Sequence, residues 1–211
     1  MVNKSKLLLA AELLKIKAVK LQPEQPFTWA SGWKSPFYCD NRKTLSYPSL
    51  RTFVKTEIAR VVLENFEDVD AIAGVATGAI AQGALVAEAL NLPFVYVRSK
   101  PKDHGLENLI EGELKPGMKV VVIEDLISTG GSSLKAVEAI RNNGCEVVGM
   151  VASYTYGFDV AKKAFEDAKV ELITLTNYEA VLDVALKTGY IQESHVELLH
   201  EWRRDPAHWS V

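Results

Sequence analysis

The chain is short of the features that mark secreted, membrane-bound or nucleic-acid-binding proteins. Cysteine is scarce: 2 in 211 residues, Cys39 and Cys145, far apart and forming no Cys-x-x-Cys. Two such thiols cannot build a disulfide framework, so reduced thiols in a cytoplasmic protein are expected. Long apolar runs are missing; none approaches the ~20 residues of a bilayer span, so no membrane partner is expected. The N-terminal stretch KLLLAAELLKIKAV is broken by Glu12, Lys15 and Lys17, and no small-residue cleavage site follows. It reads as an amphipathic helix over 5–17, with Leu7, Ala10, Leu14 and Ala18 on one face. Basic charge is not in excess either: Lys plus Arg number 24 against 27 Asp plus Glu, a net charge of −3. Broad nucleic-acid binding is therefore excluded, because no surplus of cations exists to release counterions.

What is there suits one α/β domain. The composition, 48% hydrophobic and 24% charged, is that of a globular protein with a substantial core. Apolar runs at 71–75, 94–97, 120–123, 147–153 and 170–175 read as strands. Helical periodicity fills 48–65, 80–90, the stretch after the 128–132 turn through Asn143, 160–168 and 178–188, with a helical tail at 194–204. Pro48 suits a helix start, and Leu50, Val54, Ile58, Val61 and Val62 form its inward face. Alternating strand and helix predicts a twisted parallel sheet flanked by helices on both faces. Residues 27–48, rich in aromatics and turn formers, predict extended or hairpin structure that caps something.

The most informative segment is KVVVIEDLISTGGSSL, from Lys119 to Leu134. Its apolar run suits a strand buried on both faces. The turn Ser128-Thr129-Gly130-Gly131-Ser132 presents consecutive N–H groups before a helix, where donors and dipole favour a phosphate. Glutamate 124 and Asp125 cannot bind that phosphate, but they suit a sugar diol or a phosphate-bound metal ion. Together these features predict a ribose phosphate carrying a pyrophosphate. Ala76-Thr77-Gly78 is a second small-residue turn after a strand. A third loop, RSKPKDHG, begins at Arg98 and brings Arg98, Lys100, Lys102 and His104, four groups able to carry positive charge. Its polar, Gly-containing flanks predict a mobile loop that closes over an anionic leaving group. All three segments follow strand carboxyl ends, so the fold predicts that they meet in one crevice.

The Lys119–Leu134 segment resembles the motif by which type I phosphoribosyltransferases bind phosphoribosyl pyrophosphate (PRPP). RSKPKDHG, the upstream FTWASGWKSPFYCDNR and the later TLTNYEAVLDVAL are similar to the catalytic loop, base-binding hood and tail of the orotate phosphoribosyltransferases, and the resemblance runs over nearly the whole chain. It implies a single phosphoribosyltransferase domain over 1–211, with residues 1–48 forming a hood over the base. It implies transfer of ribose 5-phosphate from PRPP to orotate in pyrimidine (UMP) biosynthesis, by a cytoplasmic homodimer with shared active sites.

The resemblance also implies roles. Lys102 and Asp125 would be catalytic. Arg98, Lys100, Lys102 and His104 would meet the pyrophosphate, donated from the neighbouring subunit. Glu124 and Asp125 would hold the ribose hydroxyls. The run Leu126, Ile127, Ser128, Thr129, Gly130, Gly131 and Ser132 would complete the PRPP site. Ser128 would also lie near orotate; where the chain departs from its relatives, the orotate carboxylate is expected to rely on Lys34, Arg42 or backbone N–H groups of the Ser35–Tyr38 segment. Mg2+ would arrive on PRPP, held by its oxygens rather than by a protein cage, so no protein metal ligand is expected. The chain departs from some relatives at Ala30 and Gly78, where they carry lysines, and after the 147–153 strand, where they carry an arginine. A purine- or uracil-specific relative and a non-catalytic nucleotide sensor are the competing readings; the KPKDHG loop and the hood argue against the first, Lys102 and Asp125 against the second.

Overall fold

Short β-branched runs separated by helical periodicity set the architecture. The structure, a computed structural model, describes residues 2–28, 32, 34–100 and 109–209. The chain opens with helix α1 (Val2–Lys15), followed by four short strands: β1 (Val19–Leu21), β2 (Phe27–Thr28), β3 (Lys34–Ser35) and β4 (Phe37–Cys39). A 3-10 turn, Asn41–Ser46, leads into α2 (Pro48–Asn65), with Pro48 in the first helical turn, where its missing N–H costs nothing. Then come β5 (Ala71–Val75), α3 (Ile80–Leu90), β6 (Phe94–Val97), β7 (Ile110–Glu111), β8 (Lys119–Ile127), α4 (Gly131–Asn142), β9 (Glu146–Thr155), α5 (Asp159–Asp167), β10 (Leu172–Asn177), α6 (Tyr178–Lys187) and α7 (Val196–Arg204).

Six strands form the central sheet in the order β10-β9-β8-β5-β6-β7. Five are parallel; β7 joins the edge antiparallel to β6, pairing Tyr96 with Glu111 and Val97 with Ile110. This strand is absent from the runs legible in the sequence, because two residues carry no period to detect. Helices cover both faces. Ile72, Val121, Ile123 and Val151 face one layer, with α1, α2, α3 and α6; Ala73, Val120, Val122 and Met150 face the other, with α4 and α5. Each fully buried Val or Ile contributes about 1.5–3 kcal/mol, so this alternation fixes the register of the strands.

Two departures bear on the site. β8 does not stop at its apolar run: it continues through Ile127, pairing Leu126 with Tyr154 and Ile127 with Thr155. Both acids therefore lie inside the strand. Leu126 sits with the first layer and Ile127 with the second, so the facing alternation shifts by one residue across Glu124–Asp125. Helix α1, within the stretch read as hood, packs against α6 and β10 at the far sheet edge, and Thr176 Oγ1 donates to Lys6 O at 2.9 Å. Its buried residues are Leu9, Ala10, Leu13 and Leu14, with Leu7 only half-buried.

The hood proper is two small antiparallel pairs, β1 with β4 and β2 with β3. Phe37 anchors it. The ring is fully buried among Tyr154, Tyr156, Tyr178 and Trp202, at centroid distances of 5.1–6.2 Å. Trp202 of α7 closes this aromatic cluster, and its indole N–H donates to Lys34 O at 3.2 Å.

Candidate active site

The turn after β8 is shaped to receive an anion. Gly130 has φ +84°, a conformation that disfavours side chains, and a Cβ there would lie 2.9 Å from Phe165 Cε2. It delivers the chain into α4, whose start has no side-chain cap. Leu134 N–H is already bonded to Gly130 O at 2.9 Å. The first N–H groups of α4, on Gly131, Ser132 and Ser133, therefore lie at a helix start where donors and dipole meet. Thr129, Gly131 and Ser132 are exposed and Ser128 is half-buried, so the turn is open to solvent. Ile127 is fully buried and Leu126 half-buried, so these two side chains hold the turn up from below.

The two acids are placed differently. Glu124 is 5% exposed, and both its oxygens are engaged: Oε1 accepts from Asp125 N–H at 2.9 Å and Oε2 from Ser133 Oγ at 2.8 Å. Burial and, after it, the neighbouring Asp125 charge raise its pKa to about 8. Glu124 thus braces the strand against the start of α4. Asp125 is half-buried, and its carboxylate lies over Gly78. A Cβ on Gly78 would sit 2.2 Å from Asp125 Oδ2 and 2.4 Å from Cγ. The lysine of some relatives has no room in this arrangement.

The described ends of the three segments lie together. A cleft of about 480 Å3 is lined by Ala76 from the second turn, Arg98 and Ser99 from the end of β6, and Ser132 and Lys135 from the start of α4. Arg98 Nη1 lies 3.5 Å from Glu111 Oε1, and its backbone N–H donates to Leu109 O at 2.8 Å. Lys100 is exposed. Lys102 and His104 lie outside the described residues, as do Trp29, Ala30 and Trp33 of the hood. Among the described residues, no group of three or more His, Cys, Asp or Glu is placed to hold a metal ion.

On the hood side, Arg42 Nε donates to Asp40 Oδ1 at 2.7 Å. Its pKa is raised first by that bond and the Asp40 charge, with smaller contributions from Asp125 and Tyr38. Lys34 Nζ donates to Thr28 Oγ1 at 2.9 Å, and Tyr38, 36% exposed, has its ring 5.6 Å from Phe27. Two residues that the sequence did not single out support the site: Asn41, whose Nδ2 donates to Asp125 O at 2.7 Å, and Ser133, which holds Glu124; Trp202, a tail residue that suits packing, ties α7 to the hood. The Ser133 signal was present, as the last serine of the turn motif. No local pattern pointed to Asn41.

Comparison with known proteins agrees with this geometry. Residues 52–188 match the family model of the phosphoribosyl transferase domain. An orotate phosphoribosyltransferase of Bacteroides fragilis is 82% identical over 204 residues, covering 97% of this chain and 96% of its own. One from Porphyromonas gingivalis is 70% identical over 97% of both chains. The crystal structure of orotate phosphoribosyltransferase from Aeropyrum pernix superposes with a TM-score of 0.75 at 29% identity, over 87% of this chain and 99% of that one. Similarity of this degree over nearly the whole length, together with the domain match, places the chain among the orotate phosphoribosyltransferases.

Proposed function

We infer that the crevice between β8, the 76–78 turn and the hood binds PRPP and orotate and joins them as orotidine 5′-monophosphate, releasing pyrophosphate. The observation that carries this reading is the set of Asp125 over Gly78 next to the uncapped start of α4. The first N–H groups of α4 and the hydroxyls of Ser128, Thr129 and Ser132 receive the 5-phosphate. Asp125, the more accessible acid, accepts the ribose hydroxyls, and Glu124 fixes the strand beneath it with lone pairs to spare for the same diol. Arg98, Lys100, Lys102 and His104 face the pyrophosphate. Lys34, Tyr38, Arg42 and Ser128 face the base. Residues 1–211 act as one domain, with the hood contribution of 1–48 concentrated in β1–β4 and the turn after them.

Chemically, the bond from C1 of the ribose to the pyrophosphate oxygen breaks, and a bond from C1 to a ring nitrogen of orotate forms. The anomeric carbon passes through an oxocarbenium-like state, as in glycosyl transfers generally. Orotate brings its own nucleophile, so the protein supplies placement, charge stabilisation and exclusion of water. Bound Mg2+ would neutralise pyrophosphate charge. Such an ion would be held by PRPP oxygens and water, and Asp125, a single hard oxygen donor, would hold it through water. The 98–105 loop donates its cations across a homodimer interface to the partner's site. Two free cysteines, one of them buried, support a cytoplasmic setting; no helix among the described residues is long and apolar enough to cross a membrane.

The test is orotate consumption followed by ultraviolet absorbance, with PRPP and Mg2+, for wild type and Lys102→Ala. Turnover that falls sharply in the variant at unchanged folding supports both activity and loop. An unaffected variant removes Lys102 from the mechanism, and a folded wild type that binds PRPP without turnover returns the choice to another base or a sensor.

A further inference from the structure

Asp125 has an unusual place in its sheet. The pairing of β8 with β5 ends at Gly74 and Ile123, where the chain of β5 turns away into 76–79. Beyond that point, β8 keeps its other neighbour, β9. Both main-chain polar groups of Asp125 are then taken by side chains. Its N–H goes to Glu124 Oε1 at 2.9 Å, and its carbonyl accepts from Asn41 Nδ2 at 2.7 Å. An amide side chain from the hood supplies the donor that a longer β5 would have given.

Asn41 is well mounted for this. It is 5% exposed. Its Oδ1 accepts from the Cys39 thiol at 3.3 Å, which fixes the amide with its nitrogen toward Asp125. Its own carbonyl accepts from Thr44 Oγ1 at 2.7 Å, closing the 3-10 turn. The residue before it, Asp40, donates its N–H to Ala18 O at 2.8 Å, which anchors the turn to the body of the hood. The base side of the crevice and the ribose side are therefore joined by one short, partly buried hydrogen bond.

We propose that Asn41 is a positioning residue for PRPP: it holds the Asp125 peptide so that the carboxylate stays over Gly78 and faces the ribose diol. The proposal rests on the reading that Asp125 binds the ribose hydroxyls. Asn41 touches no substrate, and its effect passes through Asp125. Removing it leaves a partly buried carbonyl without that donor and frees the strand to relax.

The experiment compares Asn41→Leu, Asn41→Asp and Asp125→Asn by steady-state kinetics in both directions. Asn41→Leu raises KM for PRPP and for orotidine 5′-monophosphate about tenfold, the effect of one unmade, partly buried hydrogen bond. KM for pyrophosphate in the reverse reaction rises much less, within about threefold, because that ligand meets Asp125 only through Mg2+ and water and not at the diol clamp. A merely structural role would instead lower the melting temperature and shift all three KM values alike, or none; either outcome overturns the proposal. Asn41→Asp adds a readout that fold damage does not mimic. At neutral pH its carboxylate opposes the Asp125 carbonyl; as pH falls, the acid regains a proton and donates again. Its KM for PRPP, relative to wild type at each pH, therefore recovers toward 1 on acidification, whereas that of Asn41→Leu does not. If Asn41→Leu fails to fold, Asn41→Asp carries the test, and a flat ratio overturns the proposal. Asp125→Asn separates the two ideas: if it leaves KM for PRPP unchanged, the ribose reading fails; if it raises KM while both Asn41 variants do not, only the positioning role fails.

Discussion

Replacing Gly78 with alanine isolates the contact on which the ribose assignment stands. The added Cβ would lie 2.2 Å from Asp125 Oδ2, 2.4 Å from Cγ and 2.7 Å from Oδ1, and the three nearest atoms all belong to that one carboxylate. Ordinary contact requires about 3.4–4.0 Å, so the carboxylate must move by roughly 1 Å or more. A charge-assisted hydrogen bond to a ribose hydroxyl is worth about 1.5–3 kcal/mol. Losing one or weakening two predicts a 10- to 100-fold fall in kcat/KM for PRPP, since 1.4 kcal/mol is about tenfold. Fold stability changes little. Gly78 is not among the glycines with positive φ, so alanine meets no backbone penalty there and restricts the unfolded chain by about 0.4–1 kcal/mol. The assay is initial rate of orotate consumption against PRPP concentration, with urea denaturation of the same samples. A double-mutant cycle sharpens it. In an Asp125→Ala background the clashing atoms are gone, so Gly78→Ala adds nothing. An unchanged kcat/KM for PRPP in the single variant, or additive losses in the pair, would refute the reasoning.

Two further outcomes follow from the same structure. Glu124 carries a pKa raised from 4.5 to about 8 by burial and by Asp125. A raised acid pKa means that the folded state holds its proton longer than the unfolded state, so this stabilisation is complete below about pH 4.5 and is lost as pH rises through about 8. At 1.36 kcal/mol per pH unit, the upper limit is about 5 kcal/mol. Glu124→Gln keeps the acceptor for Asp125 N–H and removes the titration, so its urea midpoint changes less than that of wild type between pH 5 and 9; parallel pH profiles count against the assignment. Trp202, fully buried in the aromatic cluster, bonds the hood through its indole N–H. Trp202→Ala is expected to destabilise by about 3–5 kcal/mol and to raise KM for orotate, while Trp202→Phe, which keeps most of the ring packing, costs about 1 kcal/mol; equal losses in equilibrium denaturation would deny the cluster its packing role.

What the sequence disclosed was whatever one short window could hold. Apolar runs gave β5 and β6 at their observed bounds, Pro48 gave the start of α2, and the Gly130-Gly131 turn announced the start of α4, because apolar patterning, proline geometry and glycine freedom all act between near neighbours. The end of β8 was misplaced for the opposite reason. Charge suggested that a strand should stop at Glu124, yet pairing with β9 outlasts the apolar pattern, and Glu124 tolerates burial only because Ser133 and the Asp125 N–H engage it. Asn41 was invisible in the same way. Its partner is 84 residues away, and the need for it arises only because β5 is shorter than β8. A carbonyl left without a neighbouring strand must find a donor when it is buried, and the hood is the element that passes over that spot. The substrate class was thus written locally, in the turn and its acids. The device that aims Asp125 depends on the relative lengths of two strands, a property that no single segment of the chain contains.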